Sequence, residues 1–244
     1  MRLKIDLKSE NENFMIPFNY NHILSSIIYN KIADLDLADK LHNSTSFKFF
    51  TFSQINVPNR KITKKGIISR DGRVNFYISS PNDYLIRSLV DGFLDDLYMK
   101  FKHEKLFVEK IELLKEIEFQ NKMEFKTLSP IIVRKKKEVD GKLKIWDLTP
   151  GDEFFKALEE NLIRKYLMFN EIGSTDKKIK IYSEMKSVKR KRIAIEKGPQ
   201  TTYNRGYMMD IILEGDLNLI KFAYDSGIGE RGSEGFGCIK LLIK

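Results

Sequence analysis

Three histidines, His22, His42 and His103, are the imidazoles of the chain, and the work open to them is proton transfer near neutral pH, because imidazole titrates near ~6.5. Their spacing matches no zinc signature. Asp34, Asp36 and Asp39 alternate with Leu35, Leu37 and Ala38 instead of surrounding the central glycine of a calcium loop; they read as the solvated end of the first helix. No G-x-x-x-x-G-K-[ST], H-E-x-x-H or G-x-S-x-G run occurs. The residues thus offer acid–base chemistry and give no support to a metal or nucleotide cofactor.

A second chemically suggestive stretch is Gly227-Ile228-Gly229-Glu230-Arg231-Gly232-Ser233-Glu234-Gly235-Phe236-Gly237, which holds five of the fourteen glycines. Such density means backbone at φ > 0 or close approach to a partner, and a row of N–H groups suits phosphate oxygens. Its first six residues satisfy G-x-G-x-x-G, yet the dinucleotide fingerprint needs a strand before it and a helix after it. Here a short helical stretch, 217–224, precedes, and an apolar strand-like run ends the chain. The order is helix, glycine loop, final strand. The plain alternative is a tight connection with no ligand, for which one or two glycines would suffice.

Charge points the same way. Forty-three Lys and Arg against thirty-four Asp and Glu leave a formal charge of +9, which favours a polyanion, nucleic acid first. Residues 186–205 concentrate it: Lys186, Lys189, Arg190, Lys191 and Arg192 precede a Gly198-Pro199 turn signal, the pattern of a basic β-hairpin that tracks phosphates. A solvated charge run is the other reading. The run 134–137 is weaker evidence of the same kind and reads equally as a solvated turn. The single cysteine, Cys238, fits a reducing, cytoplasmic location. No apolar run approaches the ~18 residues of a membrane span, and the first residues carry no signal-peptide pattern.

The elements that would position these residues follow from periodicity. Residues 2–7 alternate as a strand. Ile23, Leu24, Ile27, Ile28, Ile32 and Leu35 make one helix face, with His22 and Tyr29 on the polar side. Residues 40–46 break the pattern and put His42 in a loop; 47–53, 74–78 and 105–119 read as strands, and Ser80-Pro81-Asn82-Asp83 caps a helix between the last two. The second half repeats this: strand 123–133, helix after Gly151, strands 178–182 and 207–214, helix 217–224, strand 236–243. The expected class is α+β: two tandem ferredoxin-like (RRM-like, βαββαβ) units, residues 1–119 and 123–244, packed together without a flexible linker.

With a polyanionic partner and no metal constellation, the fitting chemistry is RNA cleavage by the substrate's own 2′-OH. It needs a group to take that proton, one to protonate the departing 5′-oxygen, and a cation to stabilise the phosphorane. The glycine loop also has the form glycine, hydrophobic, glycine, five residues, glycine, hydrophobic, glycine near the chain's end. In this, in Ile27-Ile28-Tyr29-Asn30, in Leu41-His42, in Lys48 before the next strand, and in Thr127-Leu128-Ser129-Pro130, the chain resembles the CRISPR-associated endoribonuclease six family.

The resemblance implies that Tyr29, His42 and Lys48 are the catalytic residues; His22, on the same helix face as Tyr29, is the rival base, at a place where the family pattern has no histidine. It implies cleavage of precursor CRISPR RNA within its repeats, without metal or cofactor, leaving a 2′,3′-cyclic phosphate and a 5′-hydroxyl. RNA contacts are expected at the basic hairpin and at Gly227, Gly229, Arg231, Gly235 and Gly237. Partners implied are CRISPR repeat RNA and, beyond it, other CRISPR effector subunits or a second copy of the chain, and no membrane. A non-catalytic RNA-binding protein and a structural subunit of a larger ribonucleoprotein are the alternatives.

Overall fold

Alternation of apolar and charged residues in Arg2–Ser9 buries Leu3, Ile5 and Leu7 and makes this segment an inner strand. The computed structural model describes residues 1–43, 47–139, 141–197 and 200–242. Its first half runs β1 (Arg2–Ser9), β2 (Phe14–Pro17), α1 (Asn21–Asn30), α2 (Leu35–Asn43), β3 (Thr51–Phe52), β4 (Arg60–Ile62), β5 (Gly66–Ser69), β6 (Arg73–Ser79), α3 (Asp83–Asp95), β7 (Tyr98–Phe101) and β8 (Glu104–Leu113). The main sheet has the order β3-β6-β1-β8-β7, with β2-β5-β4 as a smaller sheet beside it. The second half runs β9 (Lys122–Thr127), β10 (Arg134–Val139), β11 (Lys142–Asp147), α4 (Asp152–Phe169), β12 (Ile179–Tyr182), β13 (Lys189–Lys197), β14 (Gln200–Met208), β15 (Asp210–Gly215), α5 (Leu217–Ser226) and β16 (Ile239–Leu241). Its sheet order is β12-β15-β9-β16.

Both sheets therefore place the first and third core strands in the centre and the second and fourth outside, which is the βαββαβ wrap. Each has its own apolar core, one around Phe76, Phe93 and Leu89, the other around Phe125, Phe154 and Leu219. Arg2 joins them: its guanidinium donates to the carbonyls of Ile239 at 2.6 Å and Tyr224 at 2.7 Å, and lies 3.7 Å from the centre of the Tyr224 ring.

Several local expectations fail for identifiable reasons. The first helix does not continue through Leu35: α1 ends at Asn30, the Lys31 ammonium is buried against Asp96 at 2.9 Å, and a new helix starts where Asp34 accepts from the Leu37 amide. Leu35, read as core, is 77 % exposed. Because Leu37, Ala38 and Leu41 pack on the first core, α2 carries His42 on its last turn and not in a loop. Asn82, not Ser80, caps α3, accepting from Leu85 at 3.2 Å, while the Ser80 hydroxyl donates to the Phe49 carbonyl at 2.7 Å.

The strand expected at 47–53 shrinks to Thr51–Phe52, because Phe49 takes a left-handed backbone (φ 51°) and sends its ring across to Phe169 and Phe222 of the second half. The strand expected at 105–119 stops at Leu113, that at 123–133 stops at Thr127, and the last is only Ile239–Leu241. Residues 134–137 begin a second hairpin, β10–β11, instead of a solvated turn. The break at 44–46, the turn at 198–199 and residue 243 lie outside the described residues.

Candidate active site

The glycine loop is where the two halves meet. Asn21 and Ser25 on α1 donate to the carbonyls of Glu234 at 2.9 Å and Ser233 at 2.7 Å, and the Thr51 hydroxyl on β3 donates to Phe236 at 2.8 Å. From the other side, Pro130 accepts from the Gly237 amide and Ile132 from the Glu230 amide. Gly235 (φ +83°) shows why glycine is needed: a Cβ there would lie 2.4 Å from the Phe52 ring and 2.8 Å from Asn21. At Gly229 (φ +77°) it would lie 2.3 Å from the Ile132 carbonyl.

Gly227, Gly229, Gly235 and Gly237 are all buried by the chain itself, and the amides of Gly227, Gly235 and Gly237 are spent on the carbonyls of Ala223, Gly232 and Pro130. The cradle of free amides expected for phosphate is therefore absent at these three. The accessible part of the loop is 230–234, half-buried, with Arg231 in a left-handed backbone at φ 59°.

That accessible part forms one wall of a cleft of about 310 Å³, whose other walls are Phe47, Lys48, Phe49 and Phe50 from the first half and Arg134, Lys165 and Ser226 from the second. Cationic groups converge there. Lys48 donates its ammonium to the Leu41 carbonyl on the last turn of α2, beside His42 in sequence. Arg134 is held by Glu230 (2.5 Å) and Arg231 by Glu234 (2.8 Å), while the Arg231 Nε is buried without a partner among the described residues. Lys165 is 4 % exposed and donates to the Gly227 carbonyl at 2.5 Å. Burial pulls its ammonium down to about 7, against the opposing pull of Glu230.

Tyr29 stands at the end of α1, edge-on to the Phe50 ring at 5.6 Å and hydrogen-bonded to the Ser233 side chain. Burial raises its hydroxyl above the ordinary phenol value, with the Glu234 charge adding to it; near neutral pH it is a donor, not a base. The structure thus brings Tyr29 and Lys48 to the same loop and brings the end of α2 to Lys48. The side chain of His42 lies outside the described residues. His22 does not line the cleft, although its Nδ1 is buried without a partner among the described residues, and His103 is exposed.

The basic hairpin is present as β13–β14, with Lys189 opposite Met208 and Arg192 opposite Arg205. Lys189, Arg190, Lys191 and Arg192 are exposed, whereas Ile193 and Ile195 pack with Ile132 and with Phe236 of the glycine loop. Lys186 precedes the hairpin, exposed, paired with Glu184 at 2.5 Å. Reading the sequence placed Arg134 only within the weaker basic run 134–137 and missed Lys165. The signal for Lys165 was a lysine seven residues after Leu158 and three after Leu162, on the apolar face of a helix. Among the described residues, no three His, Cys, Asp or Glu side chains gather at metal-binding range, and no helix is long and apolar enough to cross a membrane.

Two family models cover most of the chain: "CRISPR-associated protein Cas6, N-terminal" matches residues 15–112 and "CRISPR associated protein Cas6, C-terminal" matches 114–241. The "CRISPR-associated endoribonuclease Cas6 1" of Methanocaldococcus jannaschii is 38 % identical, over 97 % of this chain and 92 % of its own length. A solved structure described as "CRISPR associated protein Cas6" superposes with a TM-score of 0.84 at 35 % identity, covering 100 % of this chain and 99 % of its own. Another, "An RAMP protein binding different RNA substrates", gives 0.88 at 32 % identity, with all of both chains covered.

Proposed function

The chain belongs to the Cas6 family of CRISPR-associated endoribonucleases, and from that premise we propose that it binds CRISPR repeat RNA and cuts precursor CRISPR RNA once within each repeat, at the cleft between its halves. The observation that carries the reading is the convergence of Lys48, Arg134, Lys165 and Arg231 on one cleft, with Tyr29 bonded to its wall, in a chain similar to endoribonucleases over nearly its whole length.

In the reaction the 2′-oxygen forms a bond to the adjacent phosphorus as the bond from phosphorus to the 5′-oxygen breaks. The ends are a 2′,3′-cyclic phosphate and a 5′-hydroxyl. His42 carries the proton transfer, Lys48 offsets the charge that grows on the phosphorane, and the Tyr29 hydroxyl orients the phosphate. Arg134 and Arg231 need only exchange Glu230 and Glu234 for phosphate to bind the flanking backbone. The metal-free character is tested by incubating purified protein with repeat RNA in EDTA: one discrete product is expected. Loss of cleavage in EDTA with restoration by a divalent ion would contradict it.

A second reading, an RNA-binding protein that does not cut, is favoured by the similarity to a protein described only as binding RNA. Repeat RNA that is bound and left intact would establish it.

A further inference from the structure

We infer that the hairpin β10–β11 is a second RNA-contact element, on which Trp146 stacks a base of the single-stranded RNA next to the cleft. This rests on the substrate reading above. Trp146 is the one tryptophan of the chain and is 50 % exposed, an unusual position for so large an apolar ring unless it meets a partner. Its setting is cationic. Lys135 stands directly opposite it in register, so both point to one face of the hairpin, and exposed Lys144 lies two residues earlier on that face.

Lys135 pairs with Glu153 at 2.6 Å, a pair exposed on both sides and readily exchanged for a phosphate. An exposed aromatic ring flanked by cations is the general arrangement that binds single-stranded nucleic acid: the ring takes a base face and the cations take the backbone.

Position joins the hairpin to the site. Arg134, the residue next to Lys135, lines the cleft. Directly opposite Arg134 is Asp147, whose carboxylate accepts from the Arg205 amide at 3.1 Å and fixes the hairpin against β14. Trp146 is thus one ladder pair outward from a cleft residue and beside the basic hairpin. Successive strand residues point to opposite faces, so the indole stands on the face away from Arg134 and RNA leaving the cleft reaches it by crossing the hairpin. The opposite face of β11 presents Leu143, 72 % exposed, directly across from Glu138, and supplies a control that leaves the cationic face intact.

The test is a titration of the full chain with single-stranded repeat RNA carrying a 2′-deoxy nucleotide at the cut site. Binding is followed in parallel by anisotropy of labelled RNA and by tryptophan fluorescence. Saturable quenching at the anisotropy midpoint is expected. Trp146→Ala should weaken binding about five- to hundredfold, the worth of one stacked base; Trp146→Phe should keep most of the affinity, and Leu143→Ala should bind as wild type. Binding without quenching, unchanged affinity in Trp146→Ala, or equal losses in Trp146→Ala and Leu143→Ala would overturn the inference. If wild type binds no repeat RNA, the substrate reading falls and this inference with it; if it binds and cuts but Trp146 is silent, this inference alone falls.

Discussion

Lysine is used in two ways at the cleft. Lys48 is half-buried on a wall of the cleft and donates to the Leu41 carbonyl on the last turn of α2; Lys165 is sunk under the glycine loop and latched to a carbonyl. Under saturating RNA, single-turnover rates should fall by about 10²–10⁴ in His42→Ala and about 10²–10³ in Lys48→Ala. Tyr29→Phe should lose tenfold or less, because burial keeps the phenol a donor whose work other donors share. Wild-type cleavage by His42→Ala together with a dead His22→Ala would move the base to α1.

Lys165 makes a stability prediction. Its folded value of about 7 lies below the ordinary 10.5, so between these limits the unfolded chain holds a proton that the folded chain does not, and rising pH favours folding. Below pH 7 both states are protonated and the slope vanishes. The stability of wild type minus that of Lys165→Met should therefore climb from pH 7 to 10, by up to about 1.4 kcal/mol per pH unit. Urea midpoints that run parallel over that range would show the ammonium to be unperturbed.

At the scale of elements, the glycine loop was legible as a site from its composition, but its role was not. Density of glycine marks both phosphate cradles and tight packing, and only the neighbours decide: Phe52, Asn21 and Ile132 occupy the space a Cβ would need. Gly235→Val should destabilise the fold by about 2–5 kcal/mol through left-handed strain and overpacking, read as a lower urea midpoint in the absence of RNA. Unchanged stability with weakened RNA binding would restore the phosphate reading.

The break between α1 and α2 was hidden because Ile32 and Leu35 continue the helical spacing, while what ends α1 is the contact of Lys31 with Asp96, sixty-five residues away. Residues 134–147 were hidden for a different reason. Both faces of β11 remain exposed, so no buried stripe announces the strand.

Over the whole molecule, the repeated βαββαβ order could be read from periodicity, because each sheet buries one face against its own helices and so alternates or repeats in a regular way. The assembled cleft could not. Asn21 meets Glu234, Ser25 meets Ser233 and Thr51 meets Phe236, pairs that no local pattern joins. The basic balance of the chain announced a polyanion, and the structure sets the exposed cations of β13 on a hairpin whose apolar base packs on the same glycine loop.

The central claim is that this cleft lets RNA cut itself. The direct measurement is cleavage and binding of two repeat RNAs that differ by one 2′-oxygen, immediately 5′ to the scissile phosphate. The deoxy RNA should bind within a few-fold of the ribose form and remain whole, because the nucleophile is gone while the phosphate contacts stay. Cleavage of the deoxy RNA at the same bond and rate would show that the attacking oxygen comes from elsewhere, and the transesterification scheme would fall.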